Sequence, residues 1–394
     1  MAYNPKTGKG LGRFYSAEHR AFRAREWRGF RDTFYDFFRW LYLYGFMAAK
    51  LGCHPILMVK AMLRYRWMVS YLTAAHMVDR HTMGLRGKEL RYAHNQFFSV
   101  LHNSVLGVRD IILRDKNLRP NSKHAAKLRE NTVMFDEMTP HLIMMGFPTV
   151  KWIDIAMFAI GLPSEVDQNA SMFYIDAMEH LGLPADVCSR CAAETGVALD
   201  DAFPLFGKAL ISTNMPCNAS EATSMFQRRR IGLPDFQATM AMIHNEPAAH
   251  PYSAQVLQDC IDFIEKEYGV EYDWDAMFKR AKHMNEQNRL ELEKWDYFKT
   301  PYCPMTGINE TLYRLYSWAS ANGQEDRKVM KILRKCYKNK YVPYGGTTRH
   351  RAFLWGPSAV YYTDFPTWTQ NCWGINIVLN MDSTMGHNMI STTD

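Results

Sequence analysis

The chain has 394 residues, 47% hydrophobic and 22% charged, a balance that excludes disordered, collagenous and disulfide-framework classes. It is long enough to bury a large core and to divide into roughly two or three domains. The formal charge is +7, and eight cysteines with no apolar leader in Met1–Gly12 point to a reducing compartment, so the expected location is the cytoplasm.

Residues 1–129 read as a helical N-terminal region, because aromatic and aliphatic stretches such as Phe34–Met47 and Ile56–Val78 carry interspersed Arg and Lys and no β-branched runs. At its start Arg13, Arg20, Arg23, Arg25, Arg28 and Arg31 alternate with Phe14, Tyr15, Phe22, Trp27 and Phe30. Such a stretch can bind nucleic acid. The reading adopted is a helix with its aromatic face packed and its arginine face solvated or docked on a subunit. No nucleic-acid partner is therefore expected. Trp40–Ala49 is about half the length a bilayer needs and is bounded by Arg39 and Lys50, so it reads as a buried helix, with no membrane partner. Asn117–Lys127 is polar, contains Pro120, and reads as a linker.

Residues 130–250 change character. Three short apolar runs, Thr132–Phe135, Lys208–Thr213 and Phe236–Ile243, are separated by helical segments, which predicts a parallel sheet of α/β type. Functional groups in such sheets gather at the carboxyl ends of the strands, where Pro140, Cys217 and Glu246 fall. Residues 251–342 read as a helical connector, with Val256–Tyr268 ending at Gly269 and a second helix over Trp274–Asp296. After Gly345-Gly346, the runs Ala352–Trp355 and Ile375–Leu379 look like the beginning of a second α/β domain over 343–394, shorter than a whole one.

Cys188-Ser-Arg-Cys191 is a C-x-x-C pair. Structural zinc usually needs a second such pair, or one with a His pair; no second C-x-x-C pair exists here, so zinc has weak support. A thioredoxin-type motif opens a helix straight after a strand, whereas Leu183–Asp186 reads as a helix start. Cys217 follows its strand in a turn beside Pro216 and Asn218. Cys188 precedes a helix and Cys217 follows the next strand, so the two can converge, and thiolates are the preferred ligands of iron–sulfur clusters. An inert buried thiol is the competing reading of each. Cys53 and Cys260 read as core thiols, and Cys303 as a loop thiol. The sequence contains no G-x-x-x-x-G-K-[ST], G-x-G-x-x-G or G-x-S-x-G, so P-loop nucleotide binding, dinucleotide binding and a nucleophile elbow find no support. His141 and His244 stand at predicted strand ends.

Taken in order, these segments resemble the 2-hydroxyacyl-CoA dehydratase and benzoyl-CoA reductase subunit family, of the 2-hydroxyglutaryl-CoA dehydratase D-component type. Leu181-Gly-Leu-Pro-Ala-Asp-Val-Cys188-Ser, with Gly196 following, resembles the segment of the first cluster cysteine, and Pro204–Cys217 resembles that of the second. Ala254-Gln255-Val-Leu and Phe263-Ile-Glu265-Lys-Glu-Tyr-Gly269-Val270 resemble the next helix, and Asn285-Glu286 with Pro301–Gly307 the one after it. Arg351-Ala-Phe-Leu-Trp-Gly356-Pro357 and Ile375–Leu379 resemble the opening of the second domain. The resemblance covers about residues 130–394 and implies a Rossmann- or flavodoxin-like first domain.

It further implies an anaerobic heterodimer or larger assembly with a homologous second subunit. It implies a [4Fe–4S] cluster held by three cysteines, Cys188 and Cys217 here being two. ATP enters only through a separate ATP-hydrolysing activator that delivers one electron. The substrate is an acyl-CoA, which the mild basic excess suits. The reaction is radical dehydration of an (R)-2-hydroxyacyl-CoA to an enoyl-CoA, or reduction of a benzoyl-CoA-type ring. Two departures stand out. The family's third cysteine lies later in the second domain than Cys372, so the chain is expected to be truncated or to carry an incomplete cluster. A non-catalytic partner subunit is the alternative function. A family glutamate in the first-strand turn is replaced by His141, in Thr139-Pro140-His141-Leu142-Ile143, and this histidine takes the expected proton-transfer role.

Overall fold

The structure, a computed structural model, describes residues 29–74, 78, 82, 87–136, 139–156, 158, 161–164, 166–199, 203–214, 218–241, 246–302, 324–340, 350–355, 365, 369 and 375–380. The basic–aromatic stretch before Gly29, Gly345-Gly346, His244, Cys217, Cys303 and Cys372 lie outside them.

The described part of the N-terminal region is helical. α1 spans Phe30–Leu51 and α2 Pro55–Arg64, followed by a 3-10 helix over Arg66–Thr73. α3 covers Gly87–Arg114, and α4 covers Lys123–Glu130. The linker expected over Asn117–Lys127 is thus replaced at its end by a helix. Ser122 Oγ accepts the Ala125 N–H at 3.2 Å and caps it, and such a cap stabilises a helix by about 0.5–2 kcal/mol.

β1 (Thr132–Phe135) lies where the apolar run placed it. α5 is a single turn, His141–Met145, and a strand absent from the sequence reading follows it, β2 (Lys151–Asp154). α6 (Gln168–His180) and α7 (Ser189–Leu199) lead to β3 (Ala209–Thr213), and α8 (Asn218–Ile231) leads to β4 (Asp235–Ala238). The run Phe236–Ile243 therefore extends as a strand only to Ala238. Asn214 ends the ladder there: its Nδ2 donates to the Met240 carbonyl and its Oδ1 accepts the Met240 N–H, both at 2.8 Å. α9 (Ala249–Tyr268) stops at Gly269, whose φ of 63° is the left-handed conformation that glycine adopts without strain. α10 (Trp274–Phe298) starts on an Asp273 cap, and α11 spans Gln324–Lys338. β5 (His350–Leu354) and β6 (Ile375–Asn380) form a separate parallel pair over the last two apolar runs.

β1 to β4 form one parallel sheet in the order β2-β1-β3-β4, the flavodoxin-like arrangement. Side chains alternate between its faces. Val133, Phe135 and Ile211 meet Ile143, Cys260 and Ile264, from α5 and α9. Met134 and Leu210 meet Leu101, Ile112, Val197 and Phe206 on the other face, which joins the N-terminal helices to α7. β3 is buried at all five positions, as a strand covered on both faces must be.

β2 and β3 flank β1 on opposite sides, so the strand order reverses between β1 and β3. In sheets of this type ligands bind outside the carboxyl edge at such a point.

Two burial expectations need correction. Trp40–Ala49 is helical, but only Leu43 and Met47 within it are buried, while Leu41 and Tyr42 face outward. Cys53 is exposed, because the chain turns at Gly52 and carries it out of the helix, with its Sγ only 3.1 Å from the Ala49 carbonyl. Cys260 is fully buried, as expected.

Candidate functional site

α7 carries the C-x-x-C pair to this edge. The helix begins at Ser189, not at Leu183–Asp186, which form a turn. Cys188 occupies its N-cap position, its carbonyl accepting the Ala192 N–H at 3.0 Å. The pair does open a helix, but one that follows α6 rather than a strand.

The Cys188 side chain is exposed. A hydrogen bond from the Cys191 thiol, backbone N–H groups of Cys191 and Arg190, and the Arg190 charge together outweigh burial. They hold the Cys188 thiol down to about 5. It is a thiolate at neutral pH, as thiols at helix N-termini beside cations tend to be. Cys191 keeps its proton: its bond to the Cys188 sulfur comes first, then burial, and both push it up. Its Sγ lies 3.9 Å from Ser220 Oγ in the first turn of α8, three residues beyond Cys217. The pair is thereby brought to the start of the helix that follows β3.

Arg190 ties this helix start to the sheet. Its Nη2 donates to Asp136 Oδ1 at 2.7 Å and its Nε to Glu194 Oε1 at 2.9 Å. Asp136 directly follows β1, and its own N–H pairs with the Ile211 carbonyl at 2.9 Å. Glu194 also accepts from Gln227 of α8 at 3.4 Å. Burial raises Glu194, and the Arg190 charge opposes it. Asp154 ends β2 in register with Phe135 and accepts the Ala156 N–H at 2.7 Å. Burial, then the charge of Asp136, pushes it up to about 8, so it holds a proton at neutral pH.

None of Asp136, Asp154, Arg190 and Glu194 was marked by the sequence reading. A partial signal was present: an acid directly after the apolar run Thr132–Phe135, and an arginine inside the C-x-x-C pair.

His141 is the first residue of α5, after Pro140. Burial lowers its pKa, so the imidazole is neutral near pH 7. Among the described residues, no hydrogen bond or ion pair joins His141 to Cys188 or to the carboxyl groups. The expected pairing of Cys188 with Cys217 falls partly outside the described residues.

Gly196 has a packing reason. A Cβ there would stand 2.5 Å from the Tyr174 carbonyl oxygen, so only glycine lets α6 and α7 approach this closely.

No set of three or more metal-capable side chains occurs among the described residues. Cys188 by itself has the chemistry of an iron ligand, an exposed soft thiolate.

Among curated proteins none matches the chain. Residues 157–394, more than half of it, match the family described as HGD-D, 2-hydroxyglutaryl-CoA dehydratase, D-component. The matched span includes Cys188, Gly196 and Cys217 and begins after Asp136, His141 and Asp154. The chain belongs to the 2-hydroxyglutaryl-CoA dehydratase D-component family.

Proposed function

We propose that this dehydratase-type subunit binds a [4Fe–4S] cluster through Cys188 and Cys217 and acts on an acyl-CoA. The reaction is dehydration of an (R)-2-hydroxyacyl-CoA to an enoyl-CoA, or the related ring reduction of a benzoyl-CoA. A homologous subunit completes the enzyme, and an ATP-hydrolysing activator supplies the electron, in an anaerobic cytoplasm. The observation that carries this reading is the Cys188 thiolate, exposed at a helix N-terminus on the carboxyl edge of the sheet, in a chain of this family. A bound cluster would supply single-electron transfer and a Lewis-acidic iron for a substrate oxygen.

The protein's own residues do the rest. Cys191 and two backbone N–H groups hold the Cys188 sulfur as a thiolate, ready for iron without loss of a proton. Arg190, clamped by Asp136 and Glu194, fixes the start of α7 and therefore the direction of that sulfur. Asp154 stores a proton at the same edge. His141, kept neutral by burial, can accept a proton or donate one hydrogen bond near neutral pH.

Anaerobic purification of the full chain with its homologous partner tests this. A brown protein with about four irons and matching acid-labile sulfide per cluster-bearing subunit is expected. A colourless, iron-free chain under strict anaerobiosis contradicts it and leaves the non-catalytic partner role.

A further inference from the structure

α1 turns its two acids inward: Asp32 accepts the Gly87 N–H at 2.9 Å and Asp36 lies 3.5 Å from His94. The half-buried Arg39 donates to Asn95 at 3.0 Å, while Arg31 and Lys50 near the helix ends are exposed. Its outward stripe between Phe30 and Ala48, about 28 Å long, is largely apolar: Phe30, Phe34, Phe37, Phe38, Leu41 and Tyr42, then Gly45 and Ala48. Phe37 is 57% exposed and Leu41 59%. α2 also exposes Ile56 (75%), Val59 and Leu63 (74%), and the 3-10 helix exposes Val69 and Leu72. Exposed large apolar side chains in this number, on three successive elements, are not ordinarily left to water.

Within residues 29–74 the exposed charge has one sign. Between residues 29 and 74 the exposed charged side chains are Arg31, Lys50, Lys60, Arg64 and Arg66, and both acids, Asp32 and Asp36, are buried. The first 74 residues hold thirteen Lys and Arg against four Asp and Glu, a net +9, while the remaining 320 sum to −2. At the bend between α1 and α2 a cavity of about 320 Å³ is lined by His54, Lys60 and Arg119 together with Ile56, Leu57 and Leu118. It offers cationic groups beside apolar ones.

No single described helix is long and apolar enough to cross a membrane. α1 and α2 together reach that hydropathy but bend by 101°, so they lie as an angled pair rather than as one rod.

We propose that α1, α2 and the 3-10 helix form an in-plane docking surface for an anionic lipid leaflet. The apolar stripe enters the headgroup–acyl boundary, flanking Lys and Arg reach the phosphates, and the cavity at the bend takes a headgroup phosphate. This revises the expectation of no membrane partner. A second copy of the chain fits less well, since two-fold pairing would set the same five cations against themselves. Nucleic acid would neutralise the cations but leave the aromatic stripe in water.

Co-sedimentation of the full chain tests the proposal. Vesicles of phosphatidylcholine alone are compared with vesicles containing about one-third phosphatidylglycerol. The chain is expected to partition to the anionic vesicles about tenfold more strongly, and less so as salt rises. Phe34→Ser, Phe37→Ser and Leu41→Ser combined, all outward, should leave the thermal melt unchanged and weaken partitioning about tenfold or more. Sedimentation with neither vesicle overturns the proposal, as does equal sedimentation of parent and triple variant. A concentration-dependent dimer that the triple variant abolishes, without vesicle binding, assigns the face to a second copy. RNA binding that survives the triple substitution, without vesicle binding, assigns it to nucleic acid.

Discussion

Replacing Cys191 by alanine removes the thiol that donates to the Cys188 sulfur, the largest influence holding Cys188 near 5. A hydrogen bond to an ionised group is worth about 1.5–3 kcal/mol, and about 1.4 kcal/mol corresponds to one pKa unit. Cys188 is exposed, so water replaces part of the lost bond and the lower end of that range applies. The backbone N–H groups of Arg190 and Cys191 and the Arg190 charge remain. The Cys188 pKa should therefore rise from about 5 to about 6. At pH of about 5.5 the thiolate fraction then falls roughly threefold. The assay is iodoacetamide alkylation of the iron-free protein as a function of pH, read peptide by peptide by mass spectrometry. Exposed Cys53 serves as an internal reference. The midpoint of the profile is the quantity to compare, because intrinsic nucleophilicity also changes with pKa. A midpoint unmoved by the substitution, or moved down, refutes the claim that Cys191 activates Cys188.

Three further outcomes follow from the same geometry. Arg190→Met leaves Asp136 and Glu194 buried without their cation, and urea denaturation should show a loss of about 3–5 kcal/mol, with Arg190→Lys recovering part of it. Asp154 has a folded pKa raised to about 8, so the fold binds its proton between the unfolded value of 3.8 and about 8 while the unfolded chain does not. Its contribution is favourable below the unfolded value and is lost as pH rises through that window. Asp154→Asn, which keeps an acceptor for the Ala156 N–H, should flatten the fall of the melting temperature between about pH 4 and pH 8. Gly196→Ala drives a methyl into the Tyr174 carbonyl and should destabilise by about 1–3 kcal/mol, while alanine at Gly45, where a Cβ meets nothing within 4 Å, should be tolerated.

The fold was legible where burial was continuous. Thr132–Phe135 and Ala209–Thr213 are apolar because both faces of the sheet are covered, so their runs stand out from the helices. β2 was not legible: Lys-Trp-Ile-Asp has charged ends, and three of its four positions are only partly buried or exposed. α4 was hidden by its polarity and by Pro120, although Ser122 before Lys-His-Ala-Ala is a cap signal. At the site, the cysteine pair was legible because thiols are rare and family segments surround them. The carboxyl cluster was not, because Asp136, Asp154, Arg190 and Glu194 come from three elements and meet only once β1 and β2 are in register. The outward aromatic stripe of α1 shows the same limit. Periodicity identifies an amphipathic helix, but which face turns inward is set by partners such as His94 and Asn95 on α3.

Cys188, and not Cys191, is proposed to hold iron. Iron and acid-labile sulfide content, with electron paramagnetic resonance of the reduced protein, separates the two when measured on the anaerobically purified parent, Cys188→Ala and Cys191→Ala. Cys188→Ala should lose the iron and the signal while Cys191→Ala retains both. Iron kept by Cys188→Ala at the parent level contradicts the proposal.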